Sequence, residues 1–108
     1  MNPGEIRYAR LLANRSQDGR SFGGRVTITN QRIAFVPVAL SQVRDGRSRE
    51  IGLTQVIGAD VAPRDMNWRE GAIRRRLRIR TQAGGVQYFV VWRPRRAARL
   101  INRLRDAA

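Results

Sequence analysis

The sequence predicts a mainly β domain closed by a C-terminal α-helix, and three observations predict it. Short apolar runs alternate with polar residues at period two along most of the chain. Turn residues such as Asn30-Gln31, Asp45-Gly46 and Ala83-Gly84-Gly85 punctuate those runs. After Pro94 the period changes, and Ala97, Leu100, Ile101, Leu104 and Ala108 recur at helical spacing. The 108 residues, 42% of them hydrophobic, are enough for one domain with its own core, spanning 1–108.

The elements follow in order. Residues 5–13 suit a helix by composition, or a strand in which Ile6 and Tyr8 change face at a bulge. Residues 24–29 and 32–37 read as a hairpin around Asn30-Gln31. A two-residue loop there sets Thr29 opposite Arg32, Ile28 opposite Ile33 and Val26 opposite Phe35, with the apolar partners on one face. Asn30 suits the left-handed conformation of such a loop, and Pro37 suits a strand end. Residues 38–48 form a loop turning at Asp45-Gly46. A short strand at 49–53, a tight turn at 54–56 and a strand at 57–61 come next, and then a polar loop, 63–71, carries Met66 and Trp68. Residues 73–81 and 86–92 form a second hairpin. A two-residue loop within 83–85 sets Leu77 and Ile79 on the face of Tyr88 and Val90. The other face then holds Arg74, Arg76, Arg78 and Arg80 with Phe89 and Val91. Pro94 suits the first helical position, and Arg95, Arg96, Arg99, Arg103 and Arg105 make the far side of the helix basic. Six strands are thus expected, and a seventh if the N-terminal segment is extended.

Composition narrows the function. There is no cysteine and no histidine, which removes disulfides, thiolate zinc sites and the commonest general base. The eight acids are Glu5, Asp18, Asp45, Glu50, Asp60, Asp65, Glu70 and Asp106. They are scattered, with no pair on an obvious shared face for acid–base work. The expectation is a non-enzymatic chain with no cofactor, no metal and no small-molecule substrate. No apolar run approaches the roughly 20 residues of a membrane span, and the N-terminus lacks the basic and apolar regions of a secretory signal. A cytoplasmic location is expected, compatible with peripheral attachment at the inner face of the membrane. The net charge is +14, and all 22 basic residues are arginine. A GC-rich genome accounts for arginine over lysine but not for the excess over acids. That excess attracts polyanions.

The motifs resemble those of a known family. Pro3-Gly4-Glu5, the run Gly24-x-Val26-x-Ile28-Thr29-Asn30-x-Arg32-Ile33-x-Phe35, Glu50-Ile51-x-Leu53-x-x-Val56-x-Gly58, and Leu77-x-Ile79-x-Thr81-x-x-Gly84 followed by Tyr88-x-Val90 cover nearly the whole chain. Together with the order of elements they resemble the pleckstrin-homology superfold, in its GRAM and bacterial PH-like branch. The resemblance implies a bent barrel of two roughly orthogonal antiparallel sheets, about seven strands in all, with Leu100, Ile101 and Leu104 plugging one end. It also implies a binding or scaffolding module. Arg15 matches the basic residue late in strand one of lipid-binding relatives, and Arg25 the first of a basic pair in strand two. Thr27 stands where the second of that pair would be.

Four candidate sites follow. In such a barrel the loops after strands one and three share one open end, where Arg15, Arg20, Arg25, Arg44, Arg47 and Arg49 make a phosphate-binding rim. The stripe Arg74, Arg76, Arg78 and Arg80 repeats at about 7 Å, near the phosphate repeat of a nucleic-acid strand, with Phe89 and Val91 as its stacking surface. Trp68 in its loop is a candidate contact with a bilayer interface. The basic amphipathic helix could lie on a membrane, although capping the core suits it better. Phospholipid headgroups of an anionic membrane are the expected partner. Nucleic acid on the stripe is the first alternative, and a protein-interaction or homo-oligomeric module, marked by exposed Phe89 and Val91, is the second.

Overall fold

The computed structural model describes residues 2–17, 20–38, 48–62 and 76–108, without the side chains of residues 15–17 and 20–22. Among the described residues seven strands, β1 (Arg7–Gln17), β2 (Arg20–Thr29), β3 (Arg32–Pro37), β4 (Arg49–Gly52), β5 (Val56–Ala62), β6 (Arg76–Thr81) and β7 (Val86–Val91), precede the C-terminal helix α1 (Pro94–Ala107). A single 3-10 turn, Leu53–Gln55, joins β4 to β5. All pairings are antiparallel, and the strand order is β4-β3-β2-β1-β7-β6-β5. This is one continuous sheet, open between β4 and β5, and not two separate sheets. The cause is β1, which pairs with β2 along its length and also with β7 through Ala13, Asn14 and Arg15.

The sheet curls around its core. Phe35 on β3 and Phe89 on β7 stand three strands apart, about 14 Å in a flat sheet, yet their ring centroids are 5.7 Å apart. Val26, Ile28, Ile33, Leu77, Ile79 and Ile101 fill the remaining space with almost no exposure. Gly24 lies under this contact. A Cβ there would stand 2.5 Å from the Val36 carbonyl oxygen and 2.7 Å from the Phe35 ring, so only glycine lets β2 pass so closely.

The N-terminal segment resolves as a strand, with a bulge between Arg7 and Ala9 that changes face at Tyr8. It is longer than the sequence suggested. Asp18-Gly19, a strong hairpin dipeptide, separates β1 from β2, whose last pair is Gln17 with Arg20.

The first hairpin keeps the expected register, with Val26 opposite Phe35 and Ile28 opposite Ile33. Its turn is built differently. Among the described residues Arg93 is the one non-glycine residue at positive φ, so Asn30 is not left-handed. The Thr29 hydroxyl holds the turn instead, accepting from the Gln31 and Arg32 amides at 3.1 and 3.0 Å. Asn30 is used elsewhere. Its side chain accepts from the Ile6 amide and donates to the Gly4 carbonyl, docking the N-terminal arm on the hairpin. That arm is a turn from Asn2 to Glu5, closed by the Glu5 amide on the Asn2 carbonyl at 3.1 Å, with Pro3 before Gly4 at φ +74. Glu5 ends in a pocket of donors. It accepts from the Thr29 hydroxyl at 2.7 Å, from Arg32 Nε at 2.9 Å and Nη2 at 3.1 Å, and from the Asn2 amide at 3.1 Å.

The second hairpin corrects the sequence reading. Its loop has three residues, 82–84: the Thr81 amide donates to the Gly85 carbonyl, the Gly84 amide to the Thr81 carbonyl, and Gly84 sits at φ +80. One residue more in the loop moves every partner by one and flips the face. Leu77 therefore pairs with Phe89, and Ile79 with Gln87. Phe89 and Val91 are core residues, not neighbours of the arginines, while Tyr88 and Val90 take that outer face.

The helix caps the core through Ala97, Ala98 and Ile101, with Leu100 and Leu104 half-buried beside them and Ala108 exposed. It also covers the free edge of β5. Asn102 accepts from the Ala59 amide and donates to the Ala59 carbonyl, both at 2.8 Å, and Arg105 Nε donates to the Val56 carbonyl at 2.6 Å. The exposed backbone edge of β5 is thus partly satisfied from the helix. No helix among the described residues is long and apolar enough to cross a membrane.

Candidate functional site

β1 and β3 end, and β2 and β4 begin, at one end of the sheet, as the antiparallel order requires. This is the end where the phosphate-binding rim was expected. Arg15 and Arg20 are strand residues there, paired with Phe22 and Gln17, and not loop residues. Arg44 and Arg47 lie outside the described residues, as do Trp68 and Arg74. Arg25 is exposed on the outer face, opposite Leu12 on β1 and Val36 on β3. Arg49 shares its register row with buried Phe35, so the pairing sets Arg25 and Arg49 on opposite faces.

The outer row Leu12–Arg25–Val36 carries a signal the sequence reading passed over. Leu12 is 74% exposed and Val36 50%, and Val38 beyond them is 77% exposed. Directly opposed residues place their Cβ atoms about 5 Å apart, so an arginine stands between two solvent-facing aliphatic side chains. Exposed Arg10 lies two residues from Leu12 on the same face. Alternation along β1, read past its supposed end at residue 13, contains this face.

The arginine stripe is largely engaged. Arg76 stacks over the Tyr88 ring at 4.5 Å. Arg78 Nε and Nη2 donate to the two Asp60 carboxylate oxygens at 2.7 Å each, a bidentate pair, and Arg80 stands 3.6 Å from the same carboxylate. These bonds hold the Asp60 carboxyl below its usual range and raise the Arg78 guanidinium. Among the described residues no group of three acids could hold a metal ion.

A groove lies toward the other end of β1, between that strand and α1. This groove, of about 570 Å³, has Leu11, Ala97 and Leu100 as its floor and Tyr8 and Trp92 as its walls. Arg93, Arg96 and Arg103 stand along its rim. Trp92 is 80% exposed. Arg93 is the helix N-cap in the left-handed conformation, φ 58 and ψ 64, and its side chain makes no cap hydrogen bond. A non-glycine residue there is strained, and the turn it makes brings β7 directly into α1. Trp92 and Tyr8 are far apart in sequence, and no local pattern joins them.

Comparison with known proteins adds the fold alone. No family model matches the chain, and no curated protein matches it. A solved structure, the C-terminal domain of an unknown protein from Leishmania infantum, is similar with a TM-score of 0.68 at 12% identity, over 94% of this chain and 85% of that one. A β-rich, helix-capped domain is the class that fold and site define.

Proposed function

We propose that the chain is a non-catalytic binding domain that docks on an anionic membrane surface with phospholipid headgroups as its ligand. On the same reading, the curled sheet and its helix form a pleckstrin-homology-like bent barrel. The observation that carries the proposal is the row Leu12–Arg25–Val36, two exposed aliphatic side chains flanking an exposed arginine. Aliphatic side chains gain by leaving water at the headgroup boundary while the guanidinium pairs with phosphate. An arginine near an anionic leaflet is worth about 1 kcal/mol. Arg15, Arg20 and Arg49 belong to the same end of the sheet, Arg44 and Arg47 lie between β3 and β4 in the sequence, and the net charge of +14 draws the whole molecule to such a surface.

Nucleic acid on the Arg74, Arg76, Arg78 and Arg80 stripe has less support, because Asp60 and Tyr88 already occupy Arg78 and Arg76. Self-association through Phe89 and Val91 loses its apolar patch to the core.

The test is flotation with anionic and neutral vesicles at physiological salt, with and without competing DNA. Flotation is expected with anionic vesicles only and is expected to survive the DNA. The Leu12→Ser/Arg25→Gln/Val36→Ser variant should float several-fold less, at an unchanged melting temperature. Protein that DNA strips from the vesicles would make nucleic acid the ligand, and no flotation at all would end the membrane reading.

A further inference from the structure

The β1–α1 groove has a different chemistry from the row just described. Its floor is apolar, its walls are aromatic, and its rim is cationic. Leu11, which lines it, pairs with buried Val26, while Leu12 pairs with exposed Arg25, so the groove opens on the face of β1 opposite to that row. Arg93, Arg96 and Arg103 make no ion pair among the described residues, so their charge is available to a ligand.

We propose that this groove binds an acidic peptide segment of a partner protein, with apolar anchors seated between Tyr8 and Trp92 and carboxylates on Arg93, Arg96 and Arg103. The length of the rim argues for a chain and against a single headgroup. Arg96 and Arg103 are two turns apart, about 10 Å along the helix, and Arg93 extends the line toward about 15 Å. An extended peptide covers that span in four or five residues, with alternate side chains turned down to the floor and up to the rim. Leu100 falls between Arg96 and Arg103 on one helical stripe, which interleaves apolar and cationic contacts as such a segment needs. The groove's volume of about 570 Å³ leaves room for the apolar side chains of a short segment. A second copy of this chain is a poor occupant, since two molecules of charge +14 repel. An aromatic wall that is mostly in water loses exposed apolar area when an anchor packs on it, and arginine and tryptophan are the side chains that most often dominate such contacts.

The proposal does not rest on the membrane reading and is tested apart from it. The probe is a fluorescein-labelled synthetic peptide, Glu-Leu-Asp-Glu-Phe-Leu-Asp-Glu, followed by anisotropy at physiological salt. Two control peptides keep one property each. One replaces the acids by Gln and Asn, and the other keeps the acids and replaces Leu and Phe by Ser. Saturable binding of the first peptide is expected, with both controls at least about tenfold weaker. Trp92→Ala and Arg96→Gln/Arg103→Gln should each weaken binding by about fivefold or more, while Leu12→Ser/Arg25→Gln should not change it. Trp92, Arg96 and Arg103 are all exposed, so these variants are expected to keep the wild-type melting temperature. Equal binding of the Ser-substituted acidic peptide would reduce the effect to net charge and overturn the proposal, as would groove variants that bind like wild type or a wild-type protein that does not bind. Trp92→Ala is also expected to float with anionic vesicles like wild type. If it loses flotation and keeps the peptide, the groove is a membrane contact and the proposal fails.

Discussion

At the scale of single residues, the Glu5 carboxylate shows how a charged group becomes structural. Arg32 and then Thr29 donate to it and hold its pKa at about 2, down from 4.5. The same contacts raise the Arg32 guanidinium. Because the folded pKa is the lower one, the unfolded chain takes up the proton first as pH falls. The stability that Glu5 contributes is therefore complete above about pH 4.5 and is lost as pH falls toward 2. Melting temperatures measured from pH 6 to 2 should fall across that window in the wild type. The gap between wild type and Glu5→Gln should close over the same window, because the substitution removes the titrating group. Glu5 was legible in the sequence as part of Pro3-Gly4-Glu5, but its partners were not. They come from a hairpin more than twenty residues away, and nothing in the local pattern of Thr29 and Arg32 announces a carboxylate between them.

At the scale of elements, the helix is more than a plug. Its apolar stripe was readable from the spacing of Ala97, Leu100, Ile101 and Leu104, and Ile101 is fully buried. Asn102 interrupts that stripe for a reason the spacing does not contain: it stands where the next strand of the sheet would be and bonds both backbone groups of Ala59. Asn102→Ala leaves an amide and a carbonyl of a buried residue without these partners, and is expected to cost about 1–3 kcal/mol, read as a lower midpoint in urea with an unchanged slope. The second hairpin carries the matching lesson in register. Residues 82–85 allow loops of two or three residues, and the two place opposite faces in the core. The three-residue loop wins because it buries Phe89 and Val91 with Leu77 and Ile79, leaving the arginines opposite Tyr88 and Val90.

At the scale of the whole molecule, charge works against compactness. A net charge of +14 on 108 residues repels itself, and pairs such as Arg78–Asp60 and Arg32–Glu5 offset only part of that. Raising sodium chloride from roughly 10 to 300 mM shortens the Debye length from about 30 to about 6 Å. The melting temperature should rise over that range, because the screened term is net repulsion. A fall would mean that the few ion pairs outweigh the excess of arginine. The same screening weakens both proposed interactions, which is why each is tested at physiological salt.

The strands after residue 24, the closing helix, the first hairpin's register and the basic character of the molecule are all consequences of short-range pattern, and the sequence by itself determined them, whereas it left the N-terminal segment open between helix and strand. Period-two alternation and helical spacing are local, and charge is additive. What only the tertiary structure decided is how distant segments meet: the seam of β1 with β7 that makes one curled sheet, the face on which Phe89 and Val91 lie, the Leu12–Arg25–Val36 row, and the groove that both Tyr8 and Trp92 line. Each depends on a loop length or a pairing between residues far apart in the chain. Such contacts are selected by how much apolar surface the whole fold can bury together, a quantity no single segment of sequence carries.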